Sequence, residues 1–592
     1  MSSAAPEKKT QHAETLVSDG HPQDKDLPKK QRAIGCTSAT ENEANSSDEF
    51  HFWLAHDTIC NPFDIVETDQ VSYAGPEKTT KTYGLVTNID HVTDAAGHLS
   101  NYISSNFGDV AEVPNTPRQG ADIADVNVLS NDADIYMPVP SGRHVRFADQ
   151  QGIYRALGID VLMTERPRDA IPAGLIRLSN GEAATAYLDS RYLLGPESAH
   201  VNITGISGLA TKTSYAMFLI QAILQTTANP ENIAVILLNV KHGDLLHIDE
   251  DPAKKLPPDQ IQLWESLRLQ PKTFSTGSVH YYVPRSKRRG QPNSYAPPDP
   301  TKYAIYAYDW HNTADKLDFL FTEVPDAYGT LESILSELKE GFRTGDRELN
   351  SIKSFDDLIT KPPLFDPATG SPPKNGWRNI RPSSIGVFRR HIRRMVLTGS
   401  SGLFVPGAMG GKEKDLSEEF RKIKGGHVYV VDIAKLHDHE QCLVFGDILK
   451  TLYQVKAEGV EDEKTGDVNP GPEKIIFFVD ELNKYAPRGR QTSPITDQIL
   501  EIAERGRSLG VILLSAEQFM SAVHERVTGN CATKILGRTG SSEVAASDYR
   551  FLGDDIKLNM TRLAKGELLV SHAIYRQPVK VIFPLPAYKQ LE

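Results

Sequence analysis

The chain has 592 residues, of which 39% are hydrophobic and 24% charged, and this composition excludes wholesale disorder and a fibrous repeat. The formal net charge of −12 argues against a protein that coats nucleic acid with its whole surface. The four cysteines are far apart and form no CxxC pair, which excludes a disulfide framework and a cysteine-based zinc module. The N-terminal residues lack the apolar region of a secretory signal, and the longest apolar stretch is too short to span a membrane, so we expect a soluble, cytoplasmic protein.

The first 195 residues divide into two segments of different composition. Residues 1–48 are rich in Ser, Glu, Lys, Asp and Gln and contain no Phe, Tyr or Trp, which predicts a disordered tail, either a regulatory arm or a solvated end. Residues 49–195 consist of short apolar runs separated by Gly, Pro, Asn and Asp, without a long helical period. This pattern predicts a small β-barrel or sandwich domain, and we expect the barrel.

From residue 196 onward the pattern is that of an α/β domain. Continuous Val, Ile and Phe runs alternate with longer amphipathic stretches, as in parallel sheets whose strands are buried on both faces. The runs cover residues 200–204, 233–239, 428–432, 475–480 and 511–515. Proline-rich punctuation between about 250 and 400 interrupts the alternation, and there we expect a mostly helical insertion within the α/β domain.

The segment HVNITGISGLATKTSYAMFLIQAIL, residues 200–224, predicts a phosphate-binding loop between a strand and a helix. Backbone N–H groups of such a loop face phosphate oxygens, a lysine reaches the β- and γ-phosphates, and a Thr or Ser hydroxyl meets Mg²⁺. The match to GxxxxGK[ST] requires one extra residue and lacks the glycine before the lysine, so an ordinary strand–helix turn is the alternative. The predicted nucleotide-binding residues are Gly205, Ser207, Gly208, Ala210, Thr211, Lys212, Thr213 and Ser214, with Thr213 also a metal ligand.

The run KIIFFVDELNKYAP, residues 474–487, supplies an acidic pair at the end of a buried strand. Ligands bind at the carboxyl ends of strands in such sheets. Asp480 is predicted to hold Mg²⁺, and Glu481 to orient the water that attacks the γ-phosphate. A strand that simply ends in a polar turn is the alternative.

The next helix and strand offer further candidates. Phosphoryl transfer develops charge that an arginine, often from a neighbouring subunit, stabilises. Arg505 or Arg507 fits that role and Arg538 is another candidate, although a solvated helix end also favours a cation. Gln518 is expected to sense the γ-phosphate or to cap its strand.

In this order, the motifs resemble the HerA-like branch of the HerA/FtsK ATPases. The resemblance covers residues from about 190 to the C-terminus, and the preceding β domain looks like the small barrel found at the N-terminus of such proteins. It implies a RecA-like core, a homohexameric ring, ATP and Mg²⁺ as cofactors, and ATP-driven movement along double-stranded DNA. It also implies a nuclease or another effector as partner, in DNA end processing or in anti-phage defence; a sirtuin-like protein is one such effector. By position, Lys212, Thr213, Asp480, Glu481 and Arg507, less surely Arg505, match the family's ATP-site residues.

Two departures from the family pattern leave the function open. The phosphate loop is atypical, and the segment NVKHGD, residues 239–244, lies where the family usually has an Asp followed by a Gly-Glu pair. The leading hypothesis is a hexameric DNA translocase. The alternatives are a nucleotide-binding ring scaffold with weak hydrolysis that regulates an effector, and an ATPase that remodels protein.

The net charge is compatible with a ring, because only residues that line the channel need to be basic. The densest basic runs are at residues 285–289 and 389–394. Either run could contact phosphates, but a mobile loop for the first and pairing with acidic helices for the second are alternatives.

Overall fold

The computed structural model describes residues 32–591 apart from 76–77, 112–118, 207–211, 289, 323, 325, 327–328, 462–467, 470 and 490–492. The chain divides into two compact units. The first comprises Met1–Ala156 and Arg177–Ala183, and the second comprises Leu157–Ile176 and Ala184–Glu592.

The first unit is built on a closed antiparallel barrel. Its strands are β1 (Gly35–Thr37), β2 (Glu49–Leu54), β3 (Ile65–Gln70), β4 (Thr80–Thr93), β5 (Gly120–Asn131) and β6 (His144–Phe147), and they follow one another around the barrel in the order β1-β2-β5-β4-β3-β6. Buried side chains alternate with less buried ones along much of β2 and β5, as expected where one face lines the interior. Helix α1 (His98–Ser104) lies between β4 and β5, and α2 (Gln150–Leu157) follows β6.

The second unit is organised around a 12-stranded sheet. Its strands are β7 (Ala170–Arg177), β8 (Ala183–Asp189), β9 (Ala199–Thr204), β10 (Ile233–Asn239), β11 (Val279–Pro284), β12 (Tyr303–Tyr306), β13 (Val428–Asp432), β16 (Lys474–Asp480), β17 (Val511–Glu517), β18 (Cys531–Leu536), β19 (Glu567–Ser571) and β20 (Val579–Ile582). A separate two-stranded ribbon contains β14 (Val460–Glu461) and β15 (Val468–Asn469).

The strand order in the large sheet is β12-β11-β13-β10-β16-β17-β9-β18-β19-β20-β7-β8. The strands from β12 to β18 in this order are parallel, whereas β19 and β20 are antiparallel to their neighbours. Every residue of β10 and β17 is buried, because helices cover both faces of the sheet. The parallel strands therefore end at one common edge.

The helices of the second unit differ greatly in length. They are α3 (Ile159–Glu165), α4 (Ser190–Leu193), α5 (Lys212–Thr226), α6 (Pro258–Ser266), α7 (Trp310–Thr313), α8 (Leu317–Leu320), α9 (Thr330–Thr344), α10 (Phe355–Thr360), α11 (Pro382–Ile392), α12 (Leu416–Arg421), α13 (Asp438–Glu458), α14 (Pro494–Leu509), α15 (Glu525–Asn530), α16 (Ser541–Val544) and α17 (Asp554–Met560). A π-helical segment, Arg393–Thr398, continues α11.

The predicted α/β class is confirmed, because a large, mainly parallel sheet with helices follows a small closed β-barrel along the chain. The insertion between about residues 250 and 400 contributes helices and also β11 and β12, which extend the parallel sheet beyond β13. Helix α5 is buried on almost every side, as its apolar sequence requires, and packs directly against β9 and β17.

The unit boundaries differ from the predicted ones. Strand β1 lies inside the segment that was expected to be a tail. It was not predicted, because its three residues, GCT, show no strand pattern. Strands β7 and β8, expected in the barrel domain, belong to the large sheet, where β7 pairs with β20. Because that pairing joins residues that are far apart in the sequence, a local sequence pattern does not predict it.

Among the described residues, no helix combines the length and the apolar character that a membrane crossing requires.

Candidate functional site

The carboxyl edge of the parallel sheet carries a row of buried polar side chains. Five neighbouring strands each end in one of them, in the order Thr204 on β9, Glu517 on β17, Asp480 on β16, Asn239 on β10 and Asp432 on β13. Polar groups buried in this way require partners or a ligand. This edge is where α/β sheets bind their ligands.

The chain leaves β9 through Gly205, whose φ of +158° is one that side-chain-bearing residues rarely adopt. A Cβ at this position would lie 3.2 Å from the Cα of Gly537, so the two strand ends approach closely. The N–H of Ile206 donates to the carbonyl of Arg538 at 2.9 Å. The predicted loop residues Ser207, Gly208, Ala210 and Thr211 lie outside the described residues.

Helix α5 begins at Lys212, where the predicted phosphate-binding lysine is only 6% exposed. Thr213 is half-buried and Ser214 is buried in the same first turn. Burial lowers the pKa of Lys212, and the nearby carboxylates of Glu481 and Asp480 act in the opposite direction. The free N–H groups and the dipole of a helix N-terminus favour an anion at this position.

The acidic pair lies where the sequence predicts it, at the end of β16. Glu481 has φ 55° and ψ 49°, a left-handed conformation that is uncommon for a residue with a side chain. Its N–H donates to the carbonyl of Ala516 at 2.6 Å and to Oδ1 of Asp480 at 3.0 Å. These bonds hold the sharp turn that places Glu481 directly after the strand.

The structure brings the two predicted halves of the site together. The Nζ of Lys212 lies 3.8 Å from Oε1 of Glu481, although β16 and α5 are distant in sequence. The Asp480 carboxylate and the Thr213 hydroxyl are hard oxygen donors of the kind that Mg²⁺ takes, so the residues present fit this ion. Within the described part of the chain no three His, Cys, Asp or Glu side chains form a metal-binding group, but Mg²⁺ bound with nucleotide needs only one or two protein carboxylates.

Lys241 contacts both acids and was missed by sequence reasoning. It follows β10, and its Nζ lies 2.7 Å from Oε1 of Glu481 and 2.9 Å from Oδ2 of Asp480. Burial disfavours its charged form, but the two carboxylates outweigh burial and the pKa of Lys241 is raised. The only local signal was the lysine within NVKHGD, directly after the apolar run of β10, and a lone lysine at a strand end does not indicate a partner.

Glu517 is a second residue that sequence reasoning missed, although it precedes the predicted Gln518. Its side chain is fully buried, and Oε1 accepts a hydrogen bond from Nδ2 of Asn202. Oε2 has no hydrogen-bond partner among the described residues. Burial raises the pKa of Glu517 to about 8, so this carboxyl holds a proton near neutral pH.

The predicted Arg505 and Arg507 lie at the opposite end of the sheet from Gln518. Gln518 directly follows β17 at the carboxyl edge. Arg505 and Arg507 lie near the end of α14, before β17 begins, and are thus separated from that edge by the length of the strand, roughly 20 Å. Arg507 donates from Nη1 to the carbonyl of Glu197 at 2.8 Å. Arg538, by contrast, follows β18 at the carboxyl edge and is exposed.

The two basic runs also differ in their surroundings. Arg285 donates to the carbonyl of Gly402 at 2.8 Å, which is a structural contact, and Arg289 lies outside the described residues. In the second run, Arg390, Arg393 and Arg394 are exposed at the end of α11 and in the π-helical segment. An exposed cluster of this kind is available to a phosphate backbone.

Several solved structures are similar in part to this chain. The bacterial conjugative coupling protein TrwBdeltaN70 in its unbound monoclinic form is 11% identical, with a TM-score of 0.44, covering 76% of this chain and 95% of that one. The plasmid coupling protein TrwB in complex with ADP and Mg²⁺ is 11% identical, with a TM-score of 0.38, covering 66% and 88%. The genome packaging NTPase B204 from Sulfolobus turreted icosahedral virus 2 with ATP-gammaS is 13% identical, with a TM-score of 0.22, covering 28% and 73%.

These likenesses are too weak to assign a substrate or a partner. The sequence matches no protein-family model, and comparison with curated proteins gives no significant match. The function must therefore be inferred from the site itself.

Proposed function

We propose that the chain is an ATPase whose nucleotide site lies at the carboxyl edge of the large sheet. The observation that carries this proposal is the approach of Lys212, the first residue of α5, to Glu481, which follows the acid-tipped strand β16, at 3.8 Å. A lysine at a helix N-terminus beside a strand-end Asp-Glu pair is a chemical set suited to binding and cleaving a nucleoside triphosphate.

Each residue has a distinct proposed role. Lys212 binds the β- and γ-phosphates, and Thr213 and Asp480 hold Mg²⁺, which would neutralise charge on the phosphates. Glu481 orients the attacking water, and Gln518 lies at the same edge as a sensor of the γ-phosphate. Gly205, Ser207, Gly208, Ala210, Thr211 and Ser214 complete the proposed phosphate loop.

We further propose that hydrolysis drives a HerA-like homohexamer along double-stranded DNA, together with a partner nuclease or other effector, in anti-phage defence or DNA processing. The exposed basic cluster of Arg390, Arg393 and Arg394 supports a contact with a phosphate backbone. In a ring, Arg505 and Arg507 would act on the site of a neighbouring subunit, since they lie at the far end of β17 from their own site.

A nucleotide-binding scaffold with weak hydrolysis is the second candidate. The observation that favours it is Lys241, whose ammonium group engages both acids that hydrolysis needs. This candidate predicts a stable ring that binds nucleotide, turns over slowly and still activates its effector.

The test is steady-state ATP hydrolysis by the full-length protein with and without duplex DNA, alongside displacement of a third strand from a triplex. The translocase predicts DNA-stimulated hydrolysis and ATP-dependent displacement. Lys212→Ala should weaken nucleotide binding by roughly 10- to 100-fold, since it removes a charge-assisted contact. Lys422→Ala on the exposed end of α12 is the matched control, because its nearest carboxylate is the exposed Glu418.

Hydrolysis that DNA does not stimulate, with a stable hexamer that still activates its effector, would favour the scaffold. Hydrolysis that Lys212→Ala and Lys422→Ala leave equally intact would contradict both candidates.

A further inference from the structure

The ammonium group of Lys241 lies against the carboxylate oxygens to which a metal ion would bind. Oδ1 of Asp480 already accepts the N–H of Glu481 at 3.0 Å, and its other oxygen, Oδ2, lies 2.9 Å from Nζ of Lys241. Both carboxylate oxygens of Asp480 are therefore engaged. An ammonium group and a divalent cation compete for the same oxygen lone pairs and repel each other.

Hydrogen bonds from Asn239 hold the turn that carries Lys241. Asn239, buried at the end of β10, donates from Nδ2 to the carbonyl of His242 at 2.9 Å and to Oδ1 of Asp432 at 2.8 Å. These bonds anchor the turn on both sides of Lys241. A lysine side chain has a flexible four-carbon stem that can carry its ammonium group away from the acids without moving this turn.

Two lysines lie close to the carboxylate of Glu481. Its Oε1 lies 2.7 Å from Nζ of Lys241 and 3.8 Å from Nζ of Lys212, so two lysines face two carboxylates. A divalent cation bound at Asp480 would repel the ammonium group of Lys241, which contacts the same carboxylate. Lys212 is part of helix α5, whereas Lys241 is not. Lys241 is therefore the lysine whose side chain moves away.

We propose that Lys241 is an internal counter-ion that holds the acidic pair in the nucleotide-free protein and withdraws from Asp480 when a nucleotide binds with its divalent cation. This inference rests on the proposed ATPase function. Lys241 is thus a positioning residue that sets how much Mg²⁺ the site requires.

The experiment is a Mg²⁺ titration of the binding of a fluorescent, non-hydrolysable ATP analogue to the full-length protein, which does not depend on turnover. Lys241→Met keeps the stem and removes the charge, and Lys241→Gln is the second variant should the first not fold. Both should lower the Mg²⁺ concentration for half-maximal binding by roughly three- to fivefold, as expected for a half-exposed ion pair.

Lys435→Met is the matched control, because this lysine follows β13 and donates to the carbonyl of Ser294 at 2.7 Å rather than to the acidic pair. A Mg²⁺ midpoint that is unchanged or higher in the Lys241 variants, with nucleotide binding intact, would overturn this inference and leave the ATPase proposal standing. Failure of the native protein to bind the analogue at any Mg²⁺ concentration would overturn both.

Discussion

Hydrogen bonds hold the backbone of Glu481 in place independently of its side chain. In the left-handed conformation of Glu481, its N–H donates to the carbonyl of Ala516 on β17 and to Oδ1 of Asp480, and neither bond involves the carboxylate of Glu481 itself. Strained backbone of this kind persists where the surrounding structure determines it, and it is found at functional sites. Replacement of the carboxylate by an amide should therefore change the chemistry of the site without changing its shape.

The buried Glu517 carboxyl predicts a pH-dependent stability. A carboxyl group whose pKa is raised from 4.5 to about 8 binds its proton more tightly when folded, so the native protein loses stability as pH rises through that interval. The slope approaches about 1.4 kcal/mol per pH unit. Glu517→Gln cannot ionise, so thermal unfolding between pH 6 and pH 9 should show the variant gaining stability relative to the native protein up to about pH 8.

The exposed substitution Glu418→Gln is the control for that series. Curves of melting temperature against pH that run parallel for Glu517→Gln and the native protein would show that Glu517 does not titrate in this range.

At the scale of residues, local sequence patterns identify candidate site residues at the ends of single elements. They do not identify residues that come together only across the sheet. Lys212 and Glu481 were predicted because each lies in a recognisable local motif, Lys212 at the start of α5 and Glu481 directly after β16. Lys241 and Glu517 were not predicted, because their position near the acidic pair depends on β10 and β17 lying beside β16, and local sequence patterns do not reveal the strand order. Gln518 was chosen over its neighbour Glu517, whose burial only the sheet shows.

At the scale of elements, α11 and the π-helical segment that continues it present the exposed basic cluster. Arg389 differs from its neighbours, because it donates to the carbonyl of Gly370 and lies over the ring of Phe365. Arg390, Arg393 and Arg394 face solvent. The structural and the exposed cations of this run can therefore be separated by mutation.

We predict that the triple variant Arg390→Ala, Arg393→Ala, Arg394→Ala weakens binding of duplex DNA and lowers its salt dependence, with basal ATP hydrolysis unchanged. Each phosphate contact removed should reduce the slope of log K against log salt by about one. The measurement is fluorescence anisotropy of labelled duplex at several salt concentrations. Alanine at the exposed Arg421, Lys422 and Lys424 is the control, and an equal loss in both triple variants would show that the effect is not specific to α11.

The elements themselves were predicted unevenly, for a physical reason. Strands buried on both faces, such as β10, β16 and β17, have continuous apolar runs that local reading detects. Strand β1 has three residues, and β7 finds its partner β20 near the other end of the chain. Boundaries that depend on such pairings are not visible in composition.

At the scale of the whole molecule, the placement of Arg507 bears on assembly. It is bonded to Glu197 before β9 begins, whereas Lys212 and Glu481 lie beyond the strand ends at the opposite edge. Within one chain, Arg507 therefore lies at the opposite end of the sheet from the proposed nucleotide site. With a net charge of −12, the DNA contact that we propose would be confined to a limited basic surface.

If Arg507 acts on a neighbouring subunit, Arg507→Ala should bind nucleotide normally and hydrolyse it on the order of 100-fold more slowly or worse. Mixing Arg507→Ala with Lys212→Ala should then restore part of the activity, since mixed assemblies contain some intact sites. Activity of the mixture no higher than that of the two variants alone would exclude a role for Arg507 across a subunit boundary.

The most direct test of the nucleotide site is equilibrium binding and single-turnover hydrolysis of ATP measured on the same Glu481→Gln protein. Removal of the water-orienting carboxylate should slow hydrolysis on the order of 100-fold or more, while ATP binding stays near that of the native protein, because Lys212 and the turn at Asp480 remain in place. Native-like hydrolysis by Glu481→Gln would contradict the assignment of the acidic pair, and with it the proposed ATPase site.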